Sequence, residues 1–237
     1  LNNLAGNPGW EHRLYDSRRG EAFIAAHYGR EMLSTYLKIN PEYGAARADF
    51  LRYLILYKQG GVYLDIKSRF TRPIGDVISA DDSFLLSQWR NGPGEEWEGI
   101  GLHRDLSHIP GGEYHNFHII AEPGHPFLLA AIEQVRRNIL SYRPWSPVGR
   151  NGVLKTTGPI AYSKAIHPLR QTVSHRLAGK ETDLALEISP PGYDHAATFK
   201  RHYSTLTSPV VKLGPVGTLL SRAFVLLRRL VVIVRNR

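Results

Sequence analysis

From Ala46 to Gln59 the chain runs without glycine or proline, and Phe50, Leu51, Leu54, Ile55 and Tyr57 recur at helical spacing. Gly60 and Gly61 follow at once. A helix stops most readily on a residue that enters the left-handed region without a Cβ clash, so the pair marks an end. Val62, Tyr63, Leu64 and Ile66, β-branched or aromatic, then predict a short strand with Asp65 near its exit. A helix, a tight turn and a buried strand point to an α/β fold. In open α/β sheets, ligands gather at the carboxyl ends of strands.

Asp49 and Arg52 are three residues apart and therefore share one face of that helix. The face is otherwise apolar and is expected to lie against the sheet, where charges are seldom buried without a partner or a ligand. Two readings follow: an internal Asp–Arg pair that only joins helix to sheet, or a grip on a bound molecule. Asp65 at a strand exit can likewise be a simple loop cap.

The combination resembles the sugar-nucleotide site of glycosyltransferase family 32 and the glucosyltransferase domains of large clostridial toxins. Their hallmark is A-x-x-S/A-D-x-x-R-Y followed by L-Y-x-x-G-G-x-Y-L-D-x-D. It is met here by Ala46, Ala48, Asp49, Arg52, Tyr53, Leu56, Tyr57, Gly60, Gly61, Tyr63, Leu64 and Asp65. The resemblance implies a GT-A type, Rossmann-like domain with a mixed sheet flanked by helices, and a retaining transfer from a nucleoside-diphosphate sugar. It assigns the donor sugar to Asp49, Arg52 and Asn116. It places Gly60, Gly61, Tyr63, Thr157, Gly158 and His202 around the nucleotide and diphosphate, and gives Asp65 and Lys67 the catalytic positions.

Lys67 is a departure, because it stands where the family has the second acid of D-x-D. A carboxylate there normally helps to hold Mn²⁺ or Mg²⁺ against the diphosphate. An ammonium cannot ligate a cation, but it can neutralise a phosphate directly, at about 4 Å on the order of 4 kcal/mol before desolvation. The expectation of a metal held by Asp65 is weakened accordingly. Residues i and i+2 of an extended segment point to one side, so Lys67 can also be read as a partner of Asp65.

Further along, Asn7-Pro8-Gly9-Trp10 reads as a turn and His12 as a surface residue, while Arg18 to Leu37 reads as one or two helices broken near Gly29. A strand is expected over Ser83 to Gln88 and a long loop over Asn91 to Gly112, either a lid or a solvated insertion. Tyr114 to Ala121 reads as a strand. His115 and His118 suggest a metal pair, but on that reading they fall on opposite faces, which argues against one. Pro126 opens a helix carrying Leu128, Ile132, Val135 and Ile139 on one face, with His125 as its cap. Asn116, the His-Pro helix and Thr157-Gly158-Pro159 follow the family's order, and His202 stands where the family places a late histidine over the diphosphate, although no Trp follows it.

The chain has no cysteine, which removes disulfides, thiolate metal sites and cysteine nucleophiles and suits a reducing cytoplasm. No signal-like or spanning segment opens it. It begins on Leu1 without the family's Ile-His-x-x-Trp strand, so an upstream piece with part of the base pocket is expected to be missing. The net charge of +9 is concentrated at the other end. From Arg201 onward there are seven Lys or Arg and no acid, whereas the first 200 residues are nearly neutral. That distribution argues against a nucleic-acid module, which shows a basic face on its body.

Val216 to Val234 contains Arg222, Arg228 and Arg229. Each central Arg costs about 2.5–3.5 kcal/mol on the insertion scale, so a membrane span is unfavourable. Instead the segment reads as a basic amphipathic helix suited to an anionic membrane surface or a partner. The expected organisation is a transferase domain over 1–212 and this helix over 213–237. The expected place is the cytoplasmic face of a bacterial membrane, in capsule or lipopolysaccharide synthesis. The rival expectation is a non-catalytic relative that binds a sugar nucleotide or a glycan.

Overall fold

The structure, a computed structural model, describes residues 6–178, 181–188 and 202–235. Helix α1 (Ser17–Leu37) starts on Asp16, whose carboxylate accepts from the Arg19 N–H at 2.7 Å. It is kinked at Gly29, where φ is 77°. Helix α2 (Gly44–Gln59) follows and ends at Gly60 in the left-handed region (φ 64°). Strands β1 (Gly61–Leu64), β2 (Ser68–Phe70), β3 (Phe84–Leu86) and β4 (His118–Ala121) come next. Helices α3 (Pro126–Leu140), α4 (Gly149–Thr156) and α5 (Pro159–Ile166) complete the helical layer. Strands β5 (Arg176–Leu177) and β6 (Leu186–Ile188) and helix α6 (Pro215–Arg235) close the order.

The main sheet runs β1-β4-β3-β5 and is mixed: β4 is antiparallel to β1 and β3, while β5 is parallel to β3. Strand alternation divides its two faces. Phe84, Leu86, Ile119 and Ala121 enter the large core under α2 and α3, with Phe50, Tyr53, Leu54, Leu128, Ile132 and Val135. Leu85 and Ile120 point the other way, into a smaller core with Phe70, Ile74, Leu184 and Leu186, beneath the two-stranded β2-β6 ribbon. The sheet is thus flanked by α-helices on one face and by the ribbon and short 3₁₀ turns on the other.

Two connections position the site. Asn7 accepts from the Ile74 N–H at 2.6 Å and ties the first described turn to the segment after β2. Late in the chain, Tyr43 donates to the Ser208 carbonyl at 2.6 Å and accepts from the Gly149 N–H at 3.0 Å. The segment leading to α6 is thereby locked over the start of α4.

Two local expectations are corrected here. Regular strand begins only at His118, not at Tyr114, although Tyr114 bridges Gln88. And Ile66-Lys67 form a turn closed by Ser68 N–H to Asp65 O at 2.8 Å, so residues 65–67 are not extended.

Candidate functional site

One face of α2, the exit of β1, the segment before β4 and the junction of α4 with α5 meet at a single cluster of polar side chains. Arg52 is its centre. Its Nη2 lies 3.2 Å from Asp49 Oδ1 and its Nη1 3.1 Å from Asp65 Oδ1. Nη1 also donates to the Asn116 carbonyl at 2.6 Å, and Nε to the Ala48 carbonyl at 3.3 Å. The guanidinium rests on the Tyr63 ring, 4.2 Å from its centroid, a cation–π contact. All three nitrogens of Arg52 are engaged within the chain.

Asp49 is almost fully buried and accepts at both oxygens: from Asn116 Nδ2 at 3.2 Å and from Thr157 Oγ1 at 3.0 Å. Asn116 Nδ2 also reaches the Tyr53 hydroxyl at 2.9 Å, and Tyr53 donates to the Thr157 carbonyl at 3.0 Å. Burial pushes the Asp49 carboxyl up to about 6, with Asp65 adding to the shift and Arg52, Thr157 and Asn116 opposing it. Burial alone would discharge Arg52, but Tyr63, Asp65, Asp49 and Tyr53 outweigh it and hold the guanidinium charged. Asp65, with its side chain 25% exposed, is the end of the array that solvent reaches. It also accepts from the Tyr63 hydroxyl at 2.8 Å.

The structure therefore brings together Asp49, Arg52, Asn116, Thr157, Tyr63 and Asp65. Gly158 is adjacent: a Cβ there would come within 3.5 Å of Asp49 Oδ2. Gly60 and Gly61 are not part of the cluster. They lie at the opposite end of β1 from Asp65, roughly four strand residues or about 13 Å away. Gly60 is required there for another reason, since a Cβ would meet Pro123 at 2.6 Å and the backbone is left-handed. Lys67, half-buried in its turn, has no ion pair within 4 Å among the described residues, and Asp65 is partnered by Arg52 instead.

His202 caps its own 3₁₀ turn (Tyr203–Thr205), its ring accepting from the Ser204 N–H at 3.3 Å. The next residue, Tyr203, is partly buried against the large core. Burial, followed by the charges of Asp49, Asp65 and Glu113, raises the Tyr203 phenol, with Arg150 opposing. Sequence reasoning missed Tyr203 and Glu113, and the late histidine's position was the nearest signal to the former. Glu113 accepts from Trp89 Nε1 at 2.8 Å and lies 2.7 Å from His103 Nε2. It thus fastens the long loop at its base. Gly112 (φ 77°) packs where a Cβ would be 2.4 Å from the Gly101 carbonyl, which closes the loop on itself.

His115 and His118 do not diverge. Ser87 Oγ lies 2.9 Å from His115 Nδ1 and 3.0 Å from His118 Nε2, because residues 115–117 precede the regular strand and escape its alternation. Both rings are buried; burial takes His118 down to about 3 and His115 well below its ordinary value. His125 caps α3, its ring accepting from the Phe127 N–H.

The described residues at Asp65 do not by themselves suit a resident divalent cation. Among them one carboxylate is present, one of its oxygens is already shared by Tyr63 and Arg52, and an ammonium holds the second acid's place. Among the described residues no group of three His, Cys, Asp or Glu is placed to hold a metal ion.

Residues 6–85, which hold Asp49, Arg52 and Asp65, match the family described as a glycosyltransferase sugar-binding region containing a DXD motif. The chain is 24% identical over 174 residues to the initiation-specific alpha-1,6-mannosyltransferase of Schizosaccharomyces pombe, covering 68% of this chain and 41% of that protein. It is 30% identical over 158 residues to inositol phosphoceramide mannosyltransferase 3 of the same yeast, covering 66% of this chain and 36% of that one. The chain thus spans about two fifths of the length of these curated relatives. A solved structure, the PaToxG glycosyltransferase, aligns over 66% of this chain and 47% of its own, with a TM-score of 0.45 and 18% identity.

Proposed function

We propose that this chain is a glycosyltransferase of the GT-A, family 32 kind, moving a hexose from a nucleoside-diphosphate sugar to a hydroxyl of a glycan or lipid-linked glycan. The observation that carries the reading is the Asp49–Arg52–Asp65 array at the exit of β1, within a segment that matches a sugar-binding region. The similar proteins are named as mannosyltransferases, so a mannosyl donor heads the candidates; one is named for a lipid acceptor.

In this reading Asp65 meets the ribose and diphosphate side of the donor, while Asp49 and Arg52 orient the sugar from within. Holding the donor in one geometry lowers the entropic part of the barrier. Charge builds on the departing diphosphate, and Lys67 is the cation beside Asp65 available to offset it. No carboxylate is placed as a sugar nucleophile in this scheme, so retention follows from attack on the same face that the diphosphate leaves. A role in surface polysaccharide synthesis at the inner face of a bacterial membrane rests on the basic tail alone.

The test is hydrolysis and transfer across a panel of UDP- and GDP-sugars, with and without EDTA, for the wild type and Asp65→Ala. Turnover that persists in chelator and is lost in Asp65→Ala supports the reading. Complete loss in chelator contradicts the role given to Lys67. Lys67 also favours a second reading, a binding relative that has lost chemistry with the second acid; it predicts donor binding without turnover.

A further inference from the structure

Helix α6 is turned the wrong way round for a soluble domain. The side that packs on the body holds Ser221, almost fully buried, with Thr218, Phe224 and Val225 partly covered. Ser221 Oγ has no hydrogen-bond partner among the described residues. Phe224 and Val225 line a small pocket together with Pro147 and Val148 at the start of α4. The opposite side presents Val216, Leu219, Leu220, Leu226 and Leu227, with Leu219 68% and Leu226 60% exposed. At 100° per residue, Leu230, Ile233 and Val234 extend that same arc in the sequence. A helix that only closed the domain would bury this stripe and leave its serine and threonine in water.

We infer that α6 docks the protein on an anionic lipid surface, lying in the plane of the interface with its leucine arc in the acyl boundary. Charge selects the occupant. Residues 201–237 carry seven Lys or Arg and no acid, while the preceding body is nearly neutral. A second copy packed on the arc would bring together two basic segments, neither of which holds a carboxylate to offset the charge of the other. An anionic bilayer supplies both the apolar layer and the counter-charge. The helix does not cross the bilayer, since no helix among the described residues is long and apolar enough to do so.

The placement has a geometric consequence for the site, on the transfer reading given above. Helix α4 starts just after Val148, which lines a pocket with Phe224 and Val225 of α6, and stops just before Thr157, which donates to Asp49. Its eight residues span about 12 Å. Docking therefore holds the cluster within reach of an acceptor whose anchor lies in the membrane.

The test is flotation of the purified chain with phosphatidylcholine vesicles, alone or containing phosphatidylglycerol, at low and high salt. Leu219→Glu/Leu226→Glu is the comparison variant, with both positions exposed so that the fold is kept. We expect flotation with the anionic vesicles, weakened at least about tenfold by salt, by omission of phosphatidylglycerol or by the double variant. Absence of flotation at low salt overturns the inference, as does flotation that the variant does not reduce. Light scattering that shows a dimer dissolved by the variant overturns it too, because a second copy then covers the arc. None of these readouts depends on glycosyl transfer, so this inference and the transferase reading fail separately.

Discussion

Helices α2 and α6 each break a rule of helix packing, in opposite senses. α2 buries an aspartate and an arginine on the face that meets the sheet; α6 holds its leucines in solvent and its serine against the body. In α2 every exception is answered inside the chain: Asp49 by Thr157, Asn116 and Arg52, and Arg52 by Asp65, Asn116 and Ala48. In α6 the apolar arc has nothing over it among the described residues. The difference teaches where to look for a partner. A buried, satisfied polar cluster is preorganised for a small ligand, and an exposed apolar arc needs a surface from outside.

The comparison breaks most visibly if the α2 cluster is disturbed. Arg52→Ala strands Asp49 and leaves a buried charge without its counterpart, and the expected cost is about 3–5 kcal/mol in denaturant unfolding, with loss of activity. A cost below about 1 kcal/mol would show that the cluster is not the internally closed unit described here.

Acidification gives the next largest effect. His118 is held near 3 against an ordinary 6.5, so its contribution is complete above pH 6.5 and is lost as pH falls below it. Between pH 6.5 and 5 that amounts to about 2 kcal/mol at about 1.4 kcal/mol per unit. Asp49 acts in the opposite direction, since its folded value of about 6 exceeds its ordinary 3.8. Its contribution is complete below 3.8 and is lost as pH rises through 6, partly offsetting His118. Urea titrations at pH 7 and 5 of the wild type and His118→Gln separate the two. In turnover, Asp49 predicts an acid limb near pH 6 that is absent from the residual activity of Asp49→Asn.

Asp65→Ala sharpens the contrast from the solvent side. Its side chain is part-exposed and Arg52 keeps its other partners, so unfolding is expected to shift by about 1 kcal/mol or less while turnover is lost. The smallest effect belongs to α6: Leu219→Glu/Leu226→Glu should stay within about 0.5 kcal/mol of wild type in solution, because both positions are exposed. A larger loss would mean that the arc is covered by the chain itself.

Much of the site was readable in the sequence because it is built from short-range order. Helical spacing puts Asp49 and Arg52 on one face, and the glycine stop fixes where β1 begins and where Asp65 emerges. What was misread depended on where regular structure stops. His115 and His118 share Ser87 because the strand starts at His118, and Lys67 sits in a turn rather than an extended run. Tyr203 and Glu113 are placed by a 3₁₀ turn and a closed loop, neither of which has a period to follow. For α6 the arc was legible, but the residues that share a pocket with its covered side, Pro147 and Val148 among them, are far away in sequence.

The central claim is that the acid and base on α2 hold the sugar of a donor whose diphosphate lies by Asp65. Calorimetric titration of Asp49→Asn with a sugar nucleotide and with the bare nucleoside diphosphate tests it most directly. We predict that the variant binds the nucleoside diphosphate as the wild type does and loses about tenfold or more in affinity for the sugar nucleotide. Equal affinity of variant and wild type for both ligands would contradict it.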